Sequence, residues 1–366
     1  MRVLHCIHSL EGGGAERQLR LLVKSLVAQG VECGIFCVDN NGAFEGEGPI
    51  RLFVCERSKR GGRLLFHSIT QAVKRFRPSI IHCWIPPAVS IPTVLVAAQR
   101  GIPCICSYRN TMRFDHPLRP LDFLVTSLFA ARIVTNSDVA HSSTPHQCLY
   151  RKKNGVEIAN AVEVDPRYKR DLIAAQQEGL FRILFVGRLT FQKNWVCLLR
   201  ALLLLPRTVD WECLICGEGE DRDNLVRMTE TLGIADRVKM LGFRRDVYEF
   251  MRSANVLAVP SWFEGMPNVM LEAFSIGLPA VVSDIHAHRR IIRDEQCALV
   301  FDPRDPVALA ERLQAIAGDP DLALGLAESG RRMASLYTPV RMASEYRELY
   351  LETLDGAHKG IKGRSL

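Results

Sequence analysis

The chain has 366 residues, of which 48% are hydrophobic and 24% are charged. This composition is typical of globular proteins and excludes an intrinsically disordered chain, while the length favours two domains of ordinary size. The net charge of +7 permits nucleic acid, an anionic membrane or a phosphate-bearing substrate as a partner, and it selects none of them.

Targeting, metal and nucleic-acid signals are weak. His5 and His8 interrupt the first apolar stretch, which argues against a secretion signal, and no apolar run is long enough to span a membrane. We therefore expect a cytoplasmic protein. Cys213 and Cys216 form a C-x-x-C pair inside a predicted strand, and no second pair completes a zinc site, so the cysteines are predicted to be reduced core residues. No aromatic-interleaved basic motif indicates nucleic acid.

The amino-terminal half alternates short apolar runs with amphipathic stretches. Strands are predicted at Val3–His8, Gly34–Val38, Ile80–Trp84, Pro103–Ser107, Arg132–Thr135 and Val156–Ala159. Helices are predicted at Ala15–Gln29, Leu64–Phe76, Pro87–Arg100 and Pro120–Ala131. Short buried strands separated by helices indicate parallel βαβ units, and right-handed crossovers turn these into an open, doubly wound sheet.

The same pattern restarts after the polar stretch Glu163–Gly179, which favours a linker with a short helix. Strands are predicted at Phe181–Val186, Trp211–Cys216, Val238–Leu241, Val256–Pro260, Pro279–Ser283 and Ala298–Phe301. Helices are predicted at Asn194–Leu205, Asp221–Leu232, Asp246–Ser253, Pro267–Ile276 and Val307–Ala317. We expect domains at 1–168 and 169–336, followed by a carboxyl-terminal helix at 337–366 that packs back toward the first domain and ends in a basic tail.

The segment Val256–Pro279 carries the strongest functional signal. A predicted strand is followed by a short loop with Glu264 and Gly265, and a helix begins around Pro267. The unpaired amides of this helix start, together with the positive end of the helix dipole, predict an anion site. Glu272 follows Glu264 by eight residues, about two helical turns, and both carboxylates could accept hydrogen bonds from sugar and ribose hydroxyls.

The segment Phe185–Asn194 also joins a predicted strand to a helix. Gly187 permits a tight turn, and Arg188 and Lys193 would project near each other at the carboxyl end of the strand. Two cations in this place match a diphosphate, the arginine as a planar fork and the lysine as a point charge. Taken alone, ordinary surface cations would explain this segment equally well.

A run of three glycines follows the first predicted strand. Gly13 and Gly14 belong to this run, which permits close approach of the backbone to a ligand. The run does not match G-x-G-x-x-G, and no acidic residue clearly caps the second strand, so a nicotinamide cofactor is not favoured. A plain flexible turn is the alternative interpretation.

These segments together resemble the signature of glycosyltransferase family 4. The E-G-x-P-N, E-A and G-x-P elements lie in 264–279, the G-R-L…K-N element lies in 187–194, and the glycine run is similar to the family's G-G-A-E loop. Cys216–Glu220 resembles a G-x-G turn, and Val238–Phe243 resembles the strand whose loop holds the nucleotide base. The resemblance implies an α/β protein of the GT-B fold, with two Rossmann-like doubly wound domains facing across a cleft.

The resemblance also implies a retaining, metal-independent hexosyltransferase that moves a sugar from a nucleotide-diphosphate sugar to an acceptor hydroxyl. Arg188 and Lys193 would hold the leaving diphosphate and Glu264 would orient the donor sugar, so these three are predicted to be catalytic. Donor contacts are predicted for Gly13, Gly14, Gly187, Gly217, Gly242, Phe243, Gly265, Met266, Pro267, Asn268, Val269 and Glu272. No cofactor is expected beyond the sugar-nucleotide co-substrate.

Two positions depart from the family pattern. Many members carry a histidine at the end of the fourth strand of the amino-terminal domain, where this chain has Arg109 and Asn110. Either residue is predicted to contact the sugar or the acceptor in place of that histidine. Arg290 stands where an acidic residue is usual, a change expected to alter contacts with the donor or between the domains.

The basic segment Arg57–Arg77 is relevant to the identity of the acceptor. It contains seven cations and no acid, namely Arg57, Lys59, Arg60, Arg63, Lys74, Arg75 and Arg77. Its apolar residues recur at helical spacing, which fits either a helix on an anionic membrane or a helix packed on the sheet with ordinary surface cations. Peripheral contact with the inner face of the cytoplasmic membrane would suit a lipid-linked saccharide in polysaccharide, lipopolysaccharide or capsule biosynthesis. The alternative function is a non-catalytic nucleotide-sugar- or saccharide-binding module.

Overall fold

The computed structural model describes residues 1–10, 13–39, 50–55, 62–84, 87–109, 119–136, 155–163, 165–168, 179–293 and 296–362. The chain divides into two compact units. Unit 1 comprises Met1–Ala161 and Pro339–Leu366, and unit 2 comprises Val162–Thr338. Each unit is an α/β domain built on a parallel sheet, so the predicted pair of Rossmann-like domains is confirmed.

The described residues of unit 1 form a sheet of seven strands in the order β3-β2-β1-β4-β5-β6-β7. These are β1 (Arg2–Ser9), β2 (Glu32–Asp39), β3 (Arg51–Val54), β4 (Ile80–Trp84), β5 (Cys104–Tyr108), β6 (Arg132–Thr135) and β7 (Val156–Glu157). The helices between them are α1 (Gly14–Ala28), α2 (Gly62–Phe76), α3 (Pro87–Gln99) and α4 (Arg119–Phe129). All neighbouring strands pair in parallel, which places the carboxyl ends of the strands at one edge of the sheet.

The described residues of unit 2 form a sheet of six strands in the order β10-β9-β8-β11-β12-β13. These are β8 (Phe181–Val186), β9 (Trp211–Cys216), β10 (Val238–Gly242), β11 (Val256–Val259), β12 (Ala280–Ser283) and β13 (Leu299–Phe301). The helices are α5 (Trp195–Leu203), α6 (Arg222–Thr231), α7 (Val247–Ser253), α8 (Asn268–Ile276), α9 (His286–Ile292), α10 (Pro306–Gly318) and α11 (Pro320–Ala334). The cysteines of the described ranges are buried and form no disulfide, as predicted for core thiols.

The border between the units differs from the sequence boundary at 168/169. Val162 donates its amide to the carbonyl of Tyr337 at 2.8 Å, and both residues belong to unit 2. The ring of Tyr168 stacks on Tyr248 of α7, with the ring centroids 5.1 Å apart. These contacts hold the connection to the first domain against unit 2.

Three elements escaped the sequence analysis, namely β3, α9 and α11. β3 is a short edge strand whose four residues are exposed or half-buried, so it lacks the apolar run by which the other strands were recognised. α9 has seven residues, fewer than the window in which helical periodicity becomes visible. Within the described ranges, none of the helices combines the length and the apolarity that crossing a bilayer requires.

In helix α2, which contains most of the basic segment, the apolar stripe faces the core of unit 1. Ile69, Val73 and Phe76 are buried in a cluster that includes residues of the sheet and of α3. The described cations of this segment, Arg63, Lys74, Arg75 and Arg77, are exposed. The stripe therefore packs inside unit 1, which is the second of the two interpretations offered by the sequence. Arg57, Lys59 and Arg60 lie outside the described residues.

The carboxyl-terminal helix α12 (Pro339–Lys362) belongs to unit 1 and packs on α1. Tyr346 and Tyr350 point from α12 into the core and are fully buried. The hydroxyl of Tyr350 lies 2.7 Å from Nδ1 of His82 in β4. Buried hydrogen bonds as well as apolar contacts therefore attach α12 to the sheet of unit 1.

Candidate functional site

Backbone hydrogen bonds connect the carboxyl ends of β8, β9 and β10 in unit 2. Gly187 after β8 donates its amide to Cys216 at 3.0 Å, and Gly217 after β9 donates its amide to Gly242 at 2.8 Å. A Cβ atom on Gly217 would overlap the carbonyl oxygen of Gly187, so only glycine permits this approach. Gly187, Gly217 and Gly242, all predicted as donor-binding residues, thus lie next to one another at this edge of the sheet.

Lys193 and Arg188, the two predicted cations, lie in the turn after β8 in different surroundings. Lys193 ends a short 3₁₀ turn and folds back over Gly187, where an added Cβ would lie 3.0 Å from the lysine Cε. Asn194 follows with a left-handed backbone, φ of 50°, and leads into α5. Arg188 is exposed, and its guanidinium has no hydrogen-bond partner among the described residues. It is therefore available to an anion.

Glu264 lies opposite Lys193 in the loop after β11. Its Oε1 atom is 2.5 Å from Nζ of Lys193 and accepts a 2.8 Å hydrogen bond from the hydroxyl of Ser261. Glu264 is only 7% exposed, and burial by itself would raise the pKa of its carboxyl. The ammonium and the hydroxyl outweigh burial and lower that pKa below its ordinary value, so the group is an ionised carboxylate at neutral pH.

Each of the four residues before Glu264 has a backbone hydrogen bond to a neighbouring loop. The partners lie after β8 on one side and at the end of β12 on the other. The bonds are Asn194 Nδ2 to Pro260 O at 3.0 Å, Ser283 Oγ to Ser261 O at 2.6 Å, Trp262 N to Gln192 O at 2.9 Å, and Gln192 Nε2 to Phe263 O at 2.9 Å. The loop that carries Glu264 is therefore held from both sides.

Helix α8 begins directly after this loop. Pro267 precedes the first helical residue, Asn268, with an extended backbone that suits the start of a helix. Every residue from Val269 to Ile276 is buried, and Glu272 among them is only 5% exposed. The predicted donor-binding residues Gly265 and Met266 lie in the same loop. The structure thus brings a helix amino terminus, the Glu264 carboxylate and a lysine to the same edge of the sheet, while Glu272 lies about one turn into α8.

Two groups of predicted residues lie elsewhere. Gly13 and Gly14 are in unit 1, where Gly13 precedes the first residue of α1 and Gly14 is that residue. Phe243 follows β10 and is more than half exposed. Arg290 is exposed on α9.

Arg109 differs from the expectation that it contacts the sugar or the acceptor. It is only 6% exposed, and its guanidinium donates to Oδ1 of Asn160 and to the hydroxyl of Tyr346, both at 2.6 Å. It also lies over the ring of Trp84, 4.4 Å from the centroid. Through these contacts Arg109 is held inside unit 1, where it connects β5 and the neighbouring residues to α12. Asn110 lies outside the described residues.

Several residues that build the site were not among the predicted site residues, namely Gln192, Asn194, Ser261, Ser283 and His288, although Asn194 belongs to the G-R-L…K-N element. Ser283 ends β12 and Ser261 lies two residues after β11, while Gln192 and Asn194 lie in the turn between β8 and α5; these are the positions where ligands of such sheets bind. That signal could have identified them as site residues. His288 lies on α9, a helix the sequence analysis did not identify, so its burial was not foreseen.

Two family models match the chain, one on each half. Glycosyltransferase Family 4 matches residues 12–165, and Glycosyl transferases group 1 matches residues 172–333. The chain is 26% identical over 333 residues to the lipopolysaccharide core biosynthesis glycosyltransferase LpsE of Rhizobium meliloti, covering 90% of this chain and 93% of that protein. It is 24% identical over 306 residues to the UDP-Gal:alpha-D-GlcNAc-diphosphoundecaprenol alpha-1,3-galactosyltransferase of Escherichia coli, covering 78% of each.

A solved structure supports the same fold. Anabaena Alr3699/HepE, crystallised in complex with UDP and glucose, superimposes with a TM-score of 0.79 over 96% of this chain and 100% of that one. The two sequences are 18% identical, so the likeness concerns the fold.

Proposed function

The chain belongs to the GT-B glycosyltransferases of the family 4 type, and we propose that it transfers a sugar, with retention of configuration, from a nucleotide-diphosphate sugar to a lipid-linked saccharide. The observation that carries this proposal is the contact between Lys193 and Glu264. A cation suited to phosphate is adjacent there to a carboxylate suited to sugar hydroxyls. The bond that breaks joins the sugar to the diphosphate, so groups that bind its two sides must lie close together.

The diphosphate is proposed to bind between the turn after β8 and the start of α8. Arg188 offers an exposed guanidinium, Lys193 an ammonium, and Asn268 marks the amino terminus of α8, the positive end of its helix dipole. Charge develops on the departing diphosphate in the transition state, and these groups stabilise it without rearrangement. Because they supply the positive charge, we propose that transfer is independent of a metal ion.

The donor sugar and the ribose are proposed to bind the two carboxylates. Glu264 accepts hydrogen bonds from hydroxyls of the sugar, and Glu272 accepts them from the ribose. A carboxylate accepts hydrogen bonds at two oxygens, which suits vicinal hydroxyls. Phe243 and the loop after β10 are proposed to lie against the base.

Retention is proposed to follow from attack on the leaving-group side. The bond from the acceptor oxygen to the anomeric carbon forms on the face where the bond to the phosphate oxygen breaks. The acceptor proton passes to the departing phosphate oxygen, so no side chain acts as a nucleophile. The surroundings of Glu264 support this account, because a buried carboxylate bonded to both Lys193 and Ser261 is a weak nucleophile.

The relatives support a lipid-linked acceptor. The Rhizobium protein is named for lipopolysaccharide core biosynthesis, and the Escherichia coli protein for a saccharide linked to diphosphoundecaprenol. We propose a role in the assembly of a surface polysaccharide, with reversible contact at the inner face of the cytoplasmic membrane. The exposed cations of α2, Arg63, Lys74 and Arg75, would attract an anionic surface.

The test is transfer by the purified protein from a panel of UDP- and GDP-sugars to a polyprenyl-diphosphate-linked GlcNAc. We expect one donor to release its nucleoside diphosphate and to give a product whose anomeric configuration, determined by NMR, matches that of the donor. An inverted product would contradict the retaining mechanism. Tight donor binding without hydrolysis or transfer would favour the non-catalytic binding module instead.

A further inference from the structure

Three side chains connect α9 to Glu264 inside unit 2. Nδ1 of His288 lies 2.8 Å from the carbonyl oxygen of Ser283, at the end of β12. The hydroxyl of Ser283 lies 2.6 Å from the carbonyl oxygen of Ser261, after β11. The hydroxyl of Ser261 lies 2.8 Å from Oε1 of Glu264. We refer to Ser261, Ser283 and His288 as the serine–histidine relay; all three are buried.

The direction of every hydrogen bond in the relay follows from chemistry. A carbonyl oxygen can only accept, so Nδ1 of His288 carries the proton and donates to Ser283. Nδ1 is then no acceptor for the Ser283 hydroxyl, 3.3 Å away, and that hydroxyl donates to the Ser261 carbonyl. Glu264 is ionised and only accepts, so the Ser261 hydroxyl donates to it. Each donor in the relay therefore has one acceptor.

The two carboxylate oxygens of Glu264 differ in the hydrogen bonds that they accept. Oε1 accepts from both Lys193 and Ser261, at 2.5 and 2.8 Å. Oε2 has one partner among the described residues, the amide of Gln192 at the longer distance of 3.4 Å. Since two short bonds fix Oε1, the carboxylate cannot rotate freely, and Oε2 is the oxygen with capacity for a further donor.

His288 is held in one protonation state. Burial lowers its pKa to about 4, in a site where Glu264 and Lys193 also act on it electrostatically. Its Nε2 atom is buried and has no partner among the residues the structure describes. A second proton would add a charge and an unpaired donor at this atom, which a buried site disfavours. The neutral tautomer with the proton on Nδ1 is therefore maintained at physiological pH.

We propose that Ser261, Ser283 and His288 are positioning residues for glycosyl transfer, which hold the Glu264 carboxylate so that Oε2 is left to accept from the donor sugar. The proposal rests on the proposed function, because the sugar as ligand of Glu264 is part of that function. The relay residues act through Glu264. Their loss is therefore expected to affect binding and turnover of the sugar, and to spare binding of the nucleoside diphosphate.

The experiment compares Ser261→Ala, Ser283→Ala and two variants of His288 in the full chain. His288→Asn keeps an amide donor near the position of Nδ1, whereas His288→Leu fills a similar volume without a donor. Thr229→Val is the matched control, since Thr229 is also buried in unit 2 and, among the described residues, its hydroxyl bonds only to the carbonyl of Val226 within α6. The probes are UDP with UDP-glucose and GDP with GDP-mannose, using whichever pair the wild-type protein binds.

We expect Ser261→Ala, Ser283→Ala and His288→Leu to lower kcat/KM for donor hydrolysis by about tenfold, the scale for losing one buried hydrogen bond. The Kd of the nucleoside diphosphate should change less than about threefold, which also shows that each variant is folded. His288→Asn should stay within about threefold of the wild type in both quantities, as should Thr229→Val. If Ser261→Ala does not fold, Ser261→Thr, which keeps the hydroxyl, should retain activity.

Three results would overturn the relay. These are wild-type turnover in the serine variants, an equal loss of diphosphate binding and turnover, or an asparagine variant as impaired as the leucine variant. A wild-type protein that neither binds nor cleaves any sugar nucleotide would contradict the proposed function itself, and the purpose of the relay with it. An active wild-type protein with unaffected variants would contradict the relay alone.

Discussion

Lys193 and Glu264 are 71 residues apart in the chain and 2.5 Å apart in the structure, measured from Nζ to Oε1. Their contact links the loop after β8 to the loop after β11, two strands that lie side by side in the sheet of unit 2. The pair therefore contributes to the fold of the site as well as to its charge. Substitutions here are expected to affect both stability and turnover, and to differ from substitutions at the exposed Arg188.

We expect Lys193→Ala and Arg188→Ala each to raise the barrier to transfer by about 2–4 kcal/mol, the scale for losing one donor to developing charge. Only Lys193→Ala should also destabilise unit 2, by about 3 kcal/mol, because it leaves the buried Glu264 carboxylate without its cation. Arg188→Ala should stay within about 0.5 kcal/mol of the wild type. Steady-state kinetics and urea unfolding measure the two effects. Wild-type rates in both variants would refute the diphosphate assignment.

The stability of unit 2 should depend on pH through His288. Below about pH 6.5 the unfolded chain binds a proton at this imidazole, whereas the folded protein does so only near pH 4. Stability therefore falls as the pH drops through this window, by about 3 kcal/mol from this group. His288→Asn should lack that component, so the difference in unfolding free energy between the two proteins should narrow as the pH falls.

Tryptophan fluorescence suits this measurement, because Trp195, Trp211 and Trp262 lie in unit 2 and only Trp84 lies in unit 1. Subtracting the variant from the wild type removes the contributions of other titrating groups, including His5, whose pKa burial lowers to about 3. Parallel pH profiles of the two proteins would show that His288 has the same pKa in the folded and unfolded states, and would contradict the prediction.

Transfer should persist after exhaustive chelation. Arg188, Lys193 and the start of α8 are proposed to neutralise the diphosphate, a task that a divalent cation performs in other enzymes. The assay compares initial rates with and without EDTA, after the protein has been dialysed against the chelator. Activity that chelation abolishes and magnesium or manganese restores would refute metal independence.

The attachment of α12 should be sensitive to single hydroxyl groups. Tyr346→Phe removes an acceptor of the buried Arg109 guanidinium, and we expect it to destabilise unit 1 by about 1.5–3 kcal/mol. Tyr350→Phe removes a bond to the neutral His82 and should cost only about 0.5–1.5 kcal/mol. Chemical unfolding of both variants tests the order, which would be wrong if Tyr350→Phe were the more destabilising. The nucleotide affinity of unit 2 should be unchanged in both.

Binding to anionic vesicles should depend on charge alone, because the apolar face of α2 is buried. Each cation near such a surface contributes about 1 kcal/mol, and salt screens the attraction over about 10 Å at 0.1 M. Reversing Arg63, Lys74 and Arg75 to glutamate should release the protein and leave donor binding intact. The control reverses three exposed cations of unit 2, namely Arg207, Arg227 and Lys239. Equal sedimentation with anionic and neutral vesicles would contradict membrane contact.

Local signals in the sequence were sufficient for the main architecture. Short apolar runs rich in branched residues predicted most strands of both sheets, because a strand covered on both faces must be apolar along its length. Glycines in the turns after Val186 and Cys216 marked close approaches of the backbone, since any side chain at Gly217 would overlap Gly187. The motif around Glu264 indicated a helix start beside a carboxylate. Each of these features is encoded by residues close together in the chain.

The tertiary structure decided which groups meet and which are covered. Periodicity predicted the apolar face of α2, and only the packing shows that the sheet covers that face. The family resemblance implied that Arg109 or Asn110 contacts the sugar or the acceptor, but α12 arrives from the far end of the chain and covers Arg109 with Tyr346. His288, Ser283 and Ser261 reach Glu264 because β11 and β12 are neighbours. Such contacts depend on strand order and on the packing of distant segments, and therefore no local pattern in the sequence specifies them.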